Sequence, residues 1–126
     1  MNITNGSGNA QAPIPASILT QGPNLIVSIH TALDDEQLTR LQKDLLDRVG
    51  VQRSRGILID VAAVDVLDSF AASTLGNLAY MARLRGAETV IVGIAPEVAM
   101  AMVQMAVQMS VRTALDLEEG LECLPS

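Results

Sequence analysis

From Ser17 onward the chain alternates between short apolar runs and longer segments with apolar residues on one side only. Ile18-Leu19 and Leu25–Ile29 are strand-like, rich in branched residues, and Gln21-Gly22-Pro23-Asn24 between them has turn composition, which predicts a hairpin. Leu38, Leu41, Leu45 and Val49 then recur at helical spacing, while Asp35, Glu36, Arg40, Lys43, Asp44 and Arg48 fall largely elsewhere. Asp34 with Gln37 three residues on predicts a capping box at the start of that helix. Gly56 opens Ile57-Leu58-Ile59, a buried strand. A loop around Asp65 to Asp68 leads into a second helix, Ser69 to Leu84, which Gly86 ends. Thr89 to Ile94 is a further buried strand, and Pro96 suits the first turn of a third helix running to about Gln108. Val111 to Ala114 forms a short last strand, and Asp116 caps a final short helix whose Glu118 and Glu119 suit its dipole.

The order β-β-α-β-α-β-α-β-α implies an α/β fold: a mixed, mostly parallel sheet of four to five strands with helices packed on it. Residues 1–16 are rich in Asn, Gly and Pro and carry no charged side chain, so they are read as a flexible N-terminal leader, with one domain over residues 17–124.

Composition narrows the function. Hydrophobic residues make up 49% of the 126 and aromatics only 2%, so the core is aliphatic and base-stacking recognition of nucleic acid is disfavoured. The net charge of -6 disfavours a phosphate backbone as partner. Cys123 is the only cysteine, which rules out an internal disulfide and fits a reducing compartment. With no basic-then-apolar leader and no apolar stretch of membrane-spanning length, the expected location is the cytosol, away from any membrane.

Enzyme signatures are missing. There is no phosphate-binding P-loop, no G-x-G-x-x-G and no G-x-S-x-G elbow. His30 has no second His and no nearby Cys, so neither a metal nor another cofactor is expected. Cys123 is read as a passive apolar residue of the last helix. Met102, Met105 and Met109 share a helical face close to Val98, for which core packing is favoured over an apolar contact in an oligomer.

The informative stretch is Val64-Asp65-Val66-Leu67-Asp68-Ser69-Phe70, between a buried strand and a helix, where α/β folds place their docking loops. At about 100° per residue, Ala71, Leu75, Leu78 and Ala82 face the sheet. Ser69, Ser73, Gly76, Tyr80 and Arg83 form the opposite, exposed stripe. Either Asp68 or Ser69 can serve as the N-cap, and a capping serine can also be exposed. Gly76 has poor helix propensity, which points either to close helix packing inside the domain or to a partner approaching from outside.

Asp68-Ser69-Phe70 after an apolar strand, followed by Leu75-Gly76, Met81-Ala82-Arg83-Leu84 and Gly86-Ala87, resembles STAS domains, and more narrowly the RsbS-type scaffold of the bacterial stressosome. Leu33-Asp34-Asp35, Arg55-Gly56, Val92-Gly93-Ile94 and Thr113-Ala114-Leu115-Asp116-Leu117-Glu118 extend the resemblance over about residues 13–122. It implies an anti-anti-sigma factor-like fold, Ser69 as phosphoacceptor and a partner-binding face made by Asp65, Asp68, Phe70, Ser73, Gly76, Tyr80 and Arg83. The implied partners are a GHKL-type serine kinase, released when Ser69 is phosphorylated, and STAS-containing sensor paralogues in a large assembly, with homo-oligomers expected. A free anti-anti-sigma factor that binds an anti-sigma kinase is the alternative. A nucleotide-binding sensor and a small α/β enzyme are further classes.

Overall fold

The computed structural model describes residues 12–107 and 109–125; residues 1–11 of the predicted leader lie outside the described part. The elements are β1 (Ala16–Gln21), β2 (Asn24–Ile29), α1 (Asp35–Gln52), β3 (Gly56–Asp60), α2 (Ser69–Leu84), β4 (Glu88–Val92), α3 (Pro96–Gln104), β5 (Arg112–Ala114) and α4 (Leu117–Glu122). They form one five-stranded sheet in the order β1-β2-β3-β4-β5. β1 is antiparallel to β2, and every later pair is parallel.

The hairpin turns through Gly22-Pro23, with Gln21 paired to Asn24. Gly22 takes φ +57, the positive value that primed two-residue turns require, and Pro23 fixes the next φ. From β2 onward each strand lies beside its predecessor and the sheet advances in one direction. Right-handed crossovers then put all connecting helices on one face. That face holds the main core, in which Leu25, Val27, Ile57, Ile59 and Ile91 of the strands meet Leu38, Leu41, Leu45 and Val49 of α1 and Ala71, Leu75, Leu78 and Ala82 of α2. The second face is closed only in part. Leu121, Cys123 and Leu124 cover Ile26, Leu58, Val90 and Val92, while Leu19 on the edge strand stays exposed. Cys123 packs there half-buried, at the C-cap of α4.

The ends of the helices follow local chemistry. Asp34 and Gln37 form the expected reciprocal capping box, with Gln37 N–H donating to Asp34 Oδ1 at 2.8 Å and Asp34 N–H to Gln37 Oε1 at 3.0 Å. Pro96 stands in the first turn of α3, and Asp116 caps α4.

Four expectations need correcting. The last five residues read with the leader are engaged: Arg40 Nη2 donates to Ala12 O at 2.8 Å, His30 N–H donates to Pro15 O at 2.9 Å, and Ile14 packs against the main core. The helix expected to reach Gln108 stops at Gln104, and Gln108 itself is outside the described residues. Ala106 turns left-handed at φ 56, and the N–H groups of Ala106 and Val107 return to Val103 O and Met102 O, a Schellman closure with Val107 and Met102 both set against the core. The helical extrapolation of the methionine face fails beyond that stop. Met102 is buried with Val98, and Met109, although in the loop, packs half-buried against the core, whereas Met105 is 55% exposed and leaves it. The last strand is shorter than predicted, starting at Arg112.

Candidate functional site

After β3 the chain runs to α2 through a loop pinned at every third residue. Val61, Val64 and Leu67 are buried, whereas Asp65, Val66 and Asp68 face outward. Two backbone bonds hold it: Val61 N–H to Val92 O at 3.0 Å and Val64 N–H to Val61 O at 2.9 Å. The loop therefore delivers the start of α2 to a fixed place at the end where the parallel strands finish.

The N-cap of α2 is Asp68. Its backbone is extended (φ -82, ψ -178), and its Oδ1 accepts from Ala71 N–H at 2.9 Å. Ser69 is the first residue of the helix and is exposed. The two capping possibilities thus resolve in favour of the aspartate. Among the described residues no hydrogen bond occupies the Ser69 hydroxyl, which stands free at a helix N-terminus. Val66 (60% exposed) and Phe70 (42% exposed) add apolar surface around it.

The remaining stripe residues line an open groove of about 470 Å3 along α2. Ser73, Gly76, Tyr80 and Arg83 form one wall; Thr89 and the segment from Met109 to Arg112 form the other. Arg83 lies over the Tyr80 ring, 5.9 Å from its centroid, a cation–π distance. Asp65, Asp68 and Phe70 belong to the exposed N-terminal end of α2 but not to this groove. The predicted face is therefore two adjoining patches, one around Ser69 and one along α2.

One of the two explanations for Gly76 falls away. A Cβ built there meets no atom within 4 Å, so no close packing inside the domain calls for a glycine. The opposite wall was not legible in sequence, because Thr89 and Arg112 reach α2 only through the β4–α3–β5 crossover. Thr89 is 4% exposed, and its Oγ1 has no hydrogen-bond partner among the described residues, an unusual state for a buried hydroxyl. Val66, 60% exposed between Asp65 and the buried Leu67, adds an apolar side chain to this end of α2 that was not among the expected face residues. His30 is exposed and its Nε2 lies 2.9 Å from Ser17 Oγ, which makes it a hairpin-edge residue. No group of three or more His, Cys, Asp or Glu able to hold a metal ion occurs among the described residues.

A mixed sheet with its crossover helices on one face and an exposed serine opening the helix after the central strand define a class of small α/β domains. The chain belongs to the STAS domain family, whose model matches residues 15–120. It is similar to a serine-to-glutamate variant of RsbS from Moorella thermoacetica, with 29% identity over 86% of this chain and 92% of that one and a TM-score of 0.73. It is also similar to a chain in a structure described as the molecular architecture of the stressosome, a signal integration and transduction hub: 27% identity, 85% and 94% coverage, TM-score 0.66. The RsbT co-antagonist protein RsbRA of Bacillus subtilis is 33% identical over 91 residues, 71% of this chain but only 33% of that protein's length. The anti-sigma factor antagonist SpoIIAA in its unphosphorylated form shares the fold at 10% identity and a TM-score of 0.65. No helix among the described residues is long and apolar enough to cross a membrane.

Proposed function

We propose that this domain is a phosphorylation-switched regulatory scaffold of a stressosome-type complex, without catalysis of its own. In this reading it holds a GHKL-type serine kinase while Ser69 is unmodified and releases it when Ser69 is phosphorylated. The observation that carries the reading is the division of labour at the start of α2, where Asp68 caps the helix and leaves the Ser69 hydroxyl exposed and without another task. The likeness to RsbS and to the stressosome chain supports a place in an assembly with other STAS proteins.

The chemistry asked of the site is modest. The kinase transfers the γ-phosphoryl group of ATP to Ser69 Oγ, the hydroxyl proton leaves to a base on the kinase, and ADP departs. The product carries roughly -1.5 to -2 charges at neutral pH. The α2 N-terminus favours such a charge by about 0.3–1 kcal/mol. Asp65 and Asp68 oppose it, and no Lys or Arg occurs between Gly56 and Ala82 to pair with it. The phosphate therefore changes the surface and not the fold. A kinase seated on neutral Ser69, Val66 and Phe70 meets an anion in an acidic setting and is repelled.

Incubation with the cognate kinase and ATP, followed by mass-spectrometric mapping, should place phosphate on Ser69, and Ser69→Ala should abolish it. Modification only at another residue overturns the reading. Ser69→Asp should fold normally and bind the kinase at least tenfold more weakly; equal binding refutes the switch.

A further inference from the structure

Charge is divided between the two ends of this domain. Five of the eight basic side chains — Arg53, Arg55, Arg83, Arg85 and Arg112 — lie at the end where the parallel strands begin and α1 and α2 finish, with the exposed carboxylate of Glu88 at the start of β4 among them, so that arginine outweighs carboxylate there. All five are exposed, and none forms an ion pair among the described residues. The ion pairs present, Arg40–Glu36, Lys43–Asp47 and Arg48–Asp44, all lie along α1 and use the other three basic residues. The opposite end, where the strands finish and the helices start, carries Asp35, Asp60, Asp65, Asp68 and Glu97.

The basic end is shaped as well as charged. Arg53, Arg55 and Arg85 border a single opening of about 340 Å3, together with Gly50, Ser54 and Gly86. The Arg85 guanidinium lies across α1 at Gly50, where a Cβ would come within 2.5 Å of Nη2. That position is open to Arg85 because residue 50 has no side chain. Helix dipoles account for part of this pattern and no more. Each helix end carries about half a charge, so the C-termini of α1 and α2 supply about one negative charge against three arginines. The acidic end likewise exceeds what four helix N-termini, about two positive charges together, neutralise.

We propose that the Arg53/Arg55/Arg85 end is a docking site for the carboxylate-bearing end of a second copy of this chain, so that copies associate head to tail. Each copy carries both halves of the contact, which makes the interface heterologous and repeatable. A chain of net charge -6 otherwise repels its copies, and matching its concentrated basic zone to its acidic zone turns that repulsion into oriented attraction. The opening has no aromatic residue in its lining, so it suits carboxylates and not a base or sugar ring.

Two charge-reversed proteins test this: Arg55→Glu with Arg85→Glu, and Asp65→Arg with Glu97→Arg. Sedimentation velocity at low salt should show the unmodified protein self-associating, with affinity falling as salt rises. Each reversed protein alone should associate at least tenfold more weakly. Their equimolar mixture should recover association, because each now offers the charge the other lacks. Circular dichroism and melting of each protein establish that it is folded; Arg55→Gln with Arg85→Gln serves as the milder variant and should weaken association by less. A monomeric unmodified protein at low salt, undiminished association of the Arg55→Glu/Arg85→Glu protein, or a mixture that stays dissociated overturns the proposal. The arginines are remote from Ser69, so the same protein should still be phosphorylated there, and failure of the head-to-tail contact is separable from failure of the switch.

Discussion

Replacing Gly76 by alanine separates what the domain needs from what a partner needs. Gly76 is the eighth residue of the sixteen-residue α2, far from either end. Glycine in a helix interior is about 0.8–1.0 kcal/mol less favourable than alanine. The new Cβ meets no atom within 4 Å, so no clash offsets the gain. Gly76→Ala should therefore stabilise the domain by about 0.5–1 kcal/mol, a rise of roughly 3–5 °C in melting temperature for a domain of this size. Gly86 is the control. Its surroundings are equally open, but its φ is +89, so Gly86→Ala should destabilise by about 1 kcal/mol through the backbone. Thermal or urea denaturation of both, with kinase binding measured on the same preparations, reads the outcome. A more stable Gly76→Ala protein with weakened partner binding means that the groove is used. A loss of stability refutes the open geometry over α2, and a gain with unchanged binding removes Gly76 from the docking face.

Three further outcomes follow from the same contacts. Asp68→Ala should cost about 1 kcal/mol through loss of the Ala71 N–H acceptor, whereas Asp68→Asn, which caps as well, should leave stability unchanged; denaturant melts distinguish them. Gly120→Ala sets a Cβ 2.5 Å from Val92 Cγ1 and 2.9 Å from Leu58 Cδ1 and should cost about 1–3 kcal/mol, loosening α4 first, as hydrogen exchange of its amides would show. Leu45→Ala, at a fully buried α1 position, should cost about 2–5 kcal/mol in a denaturant titration.

The sheet and its helices were legible because each element carries its own period. Leu38, Leu41, Leu45 and Val49 mark one face of α1, and the apolar runs of β2, β3 and β4 mark strands buried on both sides. Asp34 and Asp116 marked their helix starts for the same reason, since a cap is a local hydrogen bond. The end of α3 was illegible: nothing in Met105-Ala106-Val107 announces a stop, and an alanine takes the left-handed turn because Val107 gains a core contact beyond it. The place of Ala12 and Ile14 was hidden likewise, since Arg40 and the core hold them from far along the chain. Half of the candidate site was legible, namely the half that α2 carries at helical spacing. The wall built from Thr89 to Arg112 was not, because a groove between a helix and a crossover is a tertiary object.

The identity of the α2 cap bears on how the proposed switch can work. Had Ser69 been the cap, a phosphate on its oxygen would act directly on the helix's first turn, and modification would change fold stability and partner affinity together. With Asp68 accepting from Ala71 N–H, the first turn keeps its acceptor whatever happens to Ser69. The buried side chains of Leu67, Ala71 and Leu75 hold the helix on the core throughout. Modification is thereby decoupled from stability: Ser69→Asp should melt within about 1 kcal/mol of the unmodified protein, the scale of a charge at a helix N-terminus, while its effect on a docked partner exceeds that. If Ser69→Asp loses several kcal/mol of stability in the same melt, the residue belongs to the fold, and the surface argument fails at its first step.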